Sequence, residues 1–214
     1  WPSAASLALA GFFVALPAPQ RQSEPTLGPG LVWRNVGPFR GGRISAVSGA
    51  VGQPGVFYAG LPASGVWKTT SAGATWFPVF DSVKDVSSIG SVKVAPSDPN
   101  VIYVGTGDQV TGGVINEGNG VYKSVDAGRS WMHLGLDATK QIPSILVDPL
   151  DASVVLVAAQ GDRHKINDTR GVYRTTDGGR NWTKTLYIDG KTGIQDLASA
   201  HDVPAVVFAT TVSH

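Results

Sequence analysis

Apolar residues along this chain gather in short β-rich runs: GVFYAG at 55–60, NVIYVG at 100–105, SVVLVA at 153–158 and AVVFAT at 205–210. Each is preceded by another apolar stretch, in turn RISAVSG, IGSVKVAP, IPSILVDP and IQDLASA. After the first three comes a segment that superimposes on its counterparts: GVWKTTSAGATW (Gly65 to Trp76), GVYKSVDAGRSW (Gly120 to Trp131) and GVYRTTDGGRNW (Gly171 to Trp182). The closing tryptophans recur about every fifty residues, the period of a propeller blade. One unit is therefore four short strands, a to d. Strand a carries Ile44, Ile89, Ile142 or Ile194, and strand b carries Tyr58, Tyr103, Leu156 or Phe208. Strand c is the Gly-Val-aromatic-Lys/Arg run, and strand d begins at the tryptophan. Four antiparallel strands per repeat predict an all-β protein, a β-propeller present as an incomplete arc of about three and a half blades. The blades are placed at 42–80, 88–136, 141–188 and, incomplete, 193–214. Trp33 in LVWRNVG matches the strand-d tryptophan, so 31–36 is expected to be an outer strand that closes the ring against strands outside the chain.

The segment between strands c and d has a mechanical reading. In Ser124 to Trp131, Asp126 can accept hydrogen bonds from backbone N–H groups of its own turn. Gly128 can take the positive φ that the hairpin needs, and Trp131 packs a large ring between neighbouring sheets. Asp177, Gly179 and Trp182 repeat the arrangement. The first copy has Gly73 and Trp76 but places Ser71, a weaker acceptor, where the aspartate belongs. These aspartates are expected to be structural.

Composition narrows the classes of function. Lys and Arg number 17 against 16 Asp and Glu, a formal charge of +1, which gives no footprint for nucleic acid or an anionic membrane. The 27 glycines and 14 prolines are spread along the chain, as tight turns between strands require. There is no cysteine, hence no disulfide framework or thiolate metal site. His133, His164, His201 and His214 lack the paired spacing of zinc ligands, so no metal and no cofactor is expected. Ser6 to Leu16, SLALAGFFVAL, has the length of a signal-peptide h-region, is followed by a polar spacer, and is too short to span a bilayer. Residues 1–30 are assigned to that remnant and spacer, with an ordinary buried strand or helix as the alternative. The expected location is secreted, periplasmic or extracellular.

At these repeats the chain resembles the Asp-box or BNR-repeat β-propellers, a group including sortilin-type ectodomains, xyloglucanase-type glycoside hydrolases, sialidases and photosystem assembly factors. The likeness is greatest to large secreted bacterial proteins labelled sortilin-like or glycosyl-hydrolase BNR-repeat, through WRNVGPFRGGRISAV at 33–47, SIGSVKVAPSDPNVIYVGTGD at 88–108 and RGVYRTTDGGRNW at 170–182. It implies the propeller fold over most of the chain and leaves activity open, since one fold hosts many functions. In xyloglucanase-type enzymes a catalytic carboxylate follows strand b of the first blade in a Tyr-Ala-Arg-Thr-Asp-like run. The matching run is Tyr58-Ala59-Gly60-Leu61-Pro62, and Pro62 has no carboxylate, whereas acid–base hydrolysis needs two facing carboxyl groups. Sialidases need an arginine cluster with an acidic partner; Arg40 and Arg43 in GPFRGGR supply only part of one.

Hairpin parity puts the a–b and c–d turns on one face and the b–c and d–a loops on the other. The b–c loops are short in the first blade (LPAS) and long in the second (Thr106 to Asn119) and third (Ala159 to Arg170). Long polar loops on a rigid scaffold are where binding residues concentrate. The candidate ligand-binding set is Arg40, Arg43, Asp108, Asn116, Glu117, Asp162, Arg163 and His164, with solvated loop decoration the alternative for each singly. No residue is assigned a catalytic role. Two classes of function follow. One is a recognition module binding protein, peptide or polysaccharide on the b–c face, partnered by the remaining blades of its own propeller. The other is a glycoside hydrolase whose second carboxylate lies outside the chain.

Overall fold

The computed structural model describes residues 43–108, 116–200 and 206–213. Every described residue belongs to one compact unit. The signal-peptide assignment, Trp33 with its expected closing strand, Arg40, His201 and His214 lie outside the described residues.

Among the described residues fourteen strands form four antiparallel sheets. The first sheet holds β1 (Ala46–Gly49), β2 (Phe57–Leu61), β3 (Gly65–Thr69) and β4 (Phe77–Pro78). The second holds β5 (Ile89–Ala95), β6 (Asp98–Thr106), β7 (Val121–Ser124) and β8 (Met132–His133). The third holds β9 (Ser144–Val147), β10 (Val155–Ala159), β11 (Gly171–Thr175) and β12 (Thr183–Leu186). The fourth has β13 (Thr192–Ser199) paired with β14 (Val207–Ser213). Strands sit in chain order in each sheet, so every connection within a sheet joins neighbouring antiparallel strands, and a single short 3-10 turn (Asp137–Thr139) is the helical content among the described residues. This is the all-β, four-stranded-blade arc that the repeats predict.

Two strand assignments are corrected in detail. Ile44 and Ile142 precede β1 and β9 instead of lying in them, and Ile44 is exposed while Ile142 is buried. Strand d starts one residue after the tryptophan, at Phe77, Met132 and Thr183; the indoles of Trp131 and Trp182 instead bond the preceding blade, at the Val79 and Leu134 carbonyls.

The core lies between sheets. β1 packs beside β5, β5 beside β9 and β9 beside β13, and no comparable packing joins β13 to β1 among the described residues. Tyr58, Val66, Phe80, Ile89, Ile102 and Val104 fill the first gap, and Tyr103, Ile142, Ile145, Val155 and Val157 the second. A smaller cluster of Ala158, Val172, Ile194 and Leu197 fills the third. Because each middle sheet is covered on both faces, β10 and the Val101–Gly105 part of β6 read as continuous apolar runs instead of alternating ones. Hydroxyls stitch the inner strands together: Ser91 donates to the Ile142 carbonyl at 2.9 Å, and Ser48 accepts from the Val94 N–H at 3.0 Å. The approach is close enough that a Cβ on Gly105 would overlap both Ile142 and Ser91.

The c–d turns are closed by a carboxylate or hydroxyl acceptor within the turn, with one addition. Asp126 accepts from the Ser130 N–H at 2.9 Å and the Ser130 hydroxyl at 2.6 Å; Asp177 accepts from the Asn181 N–H at 3.0 Å and its side-chain amide at 2.7 Å. Ser71 accepts the matching Thr75 N–H at 2.9 Å but has one oxygen instead of two. The addition is the hydroxyl that opens each turn. Thr69, Ser124 and Thr175 each accept two N–H groups, including those of Gly73, Gly128 and Gly179. The turn also needs two consecutive left-handed residues, at φ 59° and 87° for Ala127 and Gly128, so alanine occupies a position that favours glycine.

Candidate functional site

The b–c and d–a loops do share a face, because they bond one another. Gly107 N–H donates to the Ser88 carbonyl at 2.9 Å, Gly118 N–H to Lys140 at 2.7 Å, and Asn167 N–H to Gly190 at 3.1 Å. The predicted residues on this face fall into two groups.

The first group joins blades one and two. Arg43 is ion-paired with Asp108 across 65 residues of sequence. Asp108 was expected on an open loop; instead its side chain is fully buried, and that expectation is corrected. Burying a carboxylate is costly unless it is paired and hydrogen-bonded, and the Arg43 guanidinium pairs with it while remaining half-exposed itself. Asn116 continues the group: its carbonyl accepts from the Asp108 N–H at 3.0 Å and the Ser88 hydroxyl at 3.1 Å, and its amide donates to the Pro62 carbonyl at 3.3 Å. Beside it Arg43, Leu61, Pro62, Ala63 and Ser64 line a shallow hollow of about 230 Å³.

The second group lies between blades two and three. Lys140 donates to the Glu117 carboxylate at 2.8 Å. That hydrogen bond, outweighing the desolvation of the ammonium, raises the Lys140 pKa, with the charges of Glu117 and Asp162 adding to it. Asp162 thus acts on the same cation from the neighbouring loop. Its carboxylate also accepts from the His164 N–H at 2.9 Å. His164 is exposed and Arg163 half-buried.

Three residues here were not among the candidates that the sequence pattern offers. Arg170 is 1% exposed and donates to four carbonyls: Gly190 at 2.9 Å, Gln160 at 2.6 Å, Asp162 at 2.7 Å and Lys165 at 3.2 Å. It holds the third b–c loop against the following d–a turn. Gln141 and Gln160 are buried where strands a begin and b end; Gln160 donates to the Gln195 Oε1, and the Oε1 atoms of Gln141 and Gln160 themselves accept no hydrogen bond. An arginine closing a loop before a Gly-Val-aromatic run was the one available hint of Arg170.

Among the described residues no cluster of three or more metal-ligating side chains occurs, and no helix is long and apolar enough to cross a membrane. No protein-family model matches the sequence, and no curated protein does so either. Solved structures do match in fold. An ancestral GH74 enzyme aligns with a TM-score of 0.63 at 22% identity over 84% of this chain. The GH74 xyloglucanase from Xanthomonas campestris aligns at 0.59, with 18% identity over 81%. YCF48 bound to D1 peptide aligns at 0.50, with 19% identity over 74%. The chain spans 23% and 28% of the two hydrolases and 45% of YCF48. Likeness at this identity establishes the β-propeller fold, and the chain is a propeller module.

Proposed function

We propose that this chain belongs to a secreted, sortilin-like Asp-box propeller that recognises a peptide or glycan on its b–c face. The observation that carries the reading is the ordering of the third b–c loop and of the described ends of the second. Arg170 pins the third loop through four carbonyls, and Asn116 and the Arg43–Asp108 pair tie the second loop to the first blade. Loops ordered before binding lose little entropy on association. Glu117, Lys140, Asp162 and His164 then offer both signs of charge and hydrogen-bonding capacity at a solvent-facing surface, a composition suited to a polar ligand. YCF48, one of the fold relatives, is a propeller described with a bound peptide. Export rests on the Ser6 to Leu16 run, and bacterial origin on the resemblance of the repeats.

A glycoside hydrolase is the second reading, favoured by the fold of the two GH74 neighbours. Against it stand Pro62 at the carboxylate position and the burial of Asp108 in an ion pair. The test is to screen the protein against polysaccharides, peptide libraries and fluorogenic glycosides. Saturable binding without turnover, weakened by Glu117→Ala, Asp162→Ala and Arg163→Ala, is the expected result. Robust turnover abolished by replacing one acidic residue refutes the recognition reading.

A further inference from the structure

Where blades two and three meet on the b–c face, the charged groups are already engaged with one another or with the backbone. Lys140 is bonded to Glu117, the Lys165 ammonium stands 3.8 Å from the Asp162 carboxylate, and Arg170 holds four carbonyls. Two neutral groups differ from these. Gln141 precedes β9, Gln160 directly follows β10, and the Gln160 N–H donates to the Gln141 carbonyl at 3.0 Å, which fixes both at the loop end of the third sheet. They are 2% and 1% exposed, yet Oε1 of each accepts no hydrogen bond from the protein.

Their backbones are held tightly. A Cβ added to Gly107 would stand 2.8 Å from the Cα of Gln141, and one added to Gly193 would stand 2.9 Å from that of Gln160. The Gln160 amide is also anchored, since its nitrogen donates to Gln195. A buried acceptor without a donor destabilises a fold, and an apolar side chain of the same length would pack better at Gln141. Residues that break a packing rule in this way mark functional positions. Both glutamines lie beside a rim that reaches solvent: Lys140 precedes Gln141, Asp162 follows Gln160 by two residues, and these side chains remain 36% and 18% exposed.

We propose that Gln141 and Gln160 form the floor of a subsite on the b–c face that binds the hydroxyl groups of a neutral sugar residue. The inference rests on the recognition reading above and selects the glycan from its two classes of ligand. An uncharged amide oxygen calls for a neutral donor. A cation approaching this junction meets Lys140, Lys165 and Arg170, and an anion brings no donor for Oε1. Peptide N–H groups are neutral donors, but along one edge of an extended peptide they recur only about every 7 Å, whereas vicinal hydroxyls stand on adjacent ring carbons and suit acceptors on two residues joined by a backbone hydrogen bond. A hydroxyl that donates to Oε1 can still accept, and Lys140 is a donor at the same junction. The terminal torsion of a glutamine is broad, so the Gln141 amide turns its oxygen toward the rim without backbone movement.

The test uses the full chain and an array of neutral glycans, followed by calorimetry with a glycan that binds. Gln141→Met keeps the length of the side chain and removes the acceptor. Its affinity is expected to fall by about tenfold or more, while its melting temperature holds or rises because an unpaired buried acceptor has become apolar. Gln160→Met is expected to lose affinity likewise; it also breaks the bond to Gln195, so the Gln141 variant carries the stability comparison. A melting temperature lowered by more than about 2 °C in Gln141→Met overturns the inference, because Oε1 then serves the fold. Glycan binding that Gln141→Met leaves unchanged overturns it too. Peptide binding in place of glycan binding overturns this inference alone and leaves the recognition reading standing. Binding of neither class, or glycoside turnover abolished by replacing one acidic residue, overturns both.

Discussion

Arg170 is a severe test of how the b–c face is held. Its side chain is buried, its stem lies against Gly161, and its guanidinium donates to the carbonyls of Gly190, Gln160, Asp162 and Lys165. Arg170→Met keeps much of the volume and removes every donor. A hydrogen bond involving a charged group contributes about 1.5–3 kcal/mol, but four bonds from one side chain do not add, and carbonyls near the loop surface recover water. Removing one side of a buried charged network costs about 3–5 kcal/mol, and that is the expected loss. In a domain of this size each kcal/mol moves the melting temperature by about 2–4 °C, so the variant should melt about 6–20 °C lower. Thermal unfolding followed by circular dichroism measures it, and hydrogen exchange should show the loss centred on residues 160–170. Arg170→Lys should recover little, because one ammonium cannot span carbonyls that a planar fork reaches together. A Met variant melting within about 2 °C of the parent, or full rescue by lysine, would refute the pinning role.

The remaining predictions concern the c–d turns. The hydroxyl and N–H of Ser130, with the Ser124 hydroxyl, hold the Asp126 pKa down to about 2, and the side chain and N–H of Asn181 likewise depress Asp177. A depressed carboxyl contributes stability above its unfolded pKa of about 3.9 and loses it as pH falls through the folded value. The melting temperature should therefore drop between about pH 4 and pH 2, and less steeply in Asp126→Asn/Asp177→Asn; equal acid limbs would contradict this account. Ser71→Asp should raise the melting temperature and Asp126→Ala lower it, by scanning calorimetry, since a carboxylate offers two oxygens to a turn where serine offers one. Ala127→Gly relieves a left-handed alanine and should stabilise by about 0.5–1 kcal/mol, while Gly178→Ala should destabilise by a similar amount in denaturant unfolding.

What the sequence determined by itself was everything written within a few residues. The turn that runs from Ser124 to Trp131 bonds residues two and four apart, so its aspartate, glycine and tryptophan were legible as a unit, and three copies implied blades. Even there, the hydroxyl hub at Thr69, Ser124 and Thr175 went unassigned, because a serine or threonine opening a turn has no unique signature. The loop face followed from hairpin parity, which is topological. The tertiary structure alone decided which loop residues are spent on the fold. Asp108 looks like an exposed loop acid until the first two blades bring Arg43 to it from 65 residues away. Arg170 looks like the end of a loop until Gly190 of the next connection closes over its guanidinium. Local hydrogen bonds are encoded where they form, whereas burial, ion pairing and docking depend on which distant residues the stacking of sheets brings together.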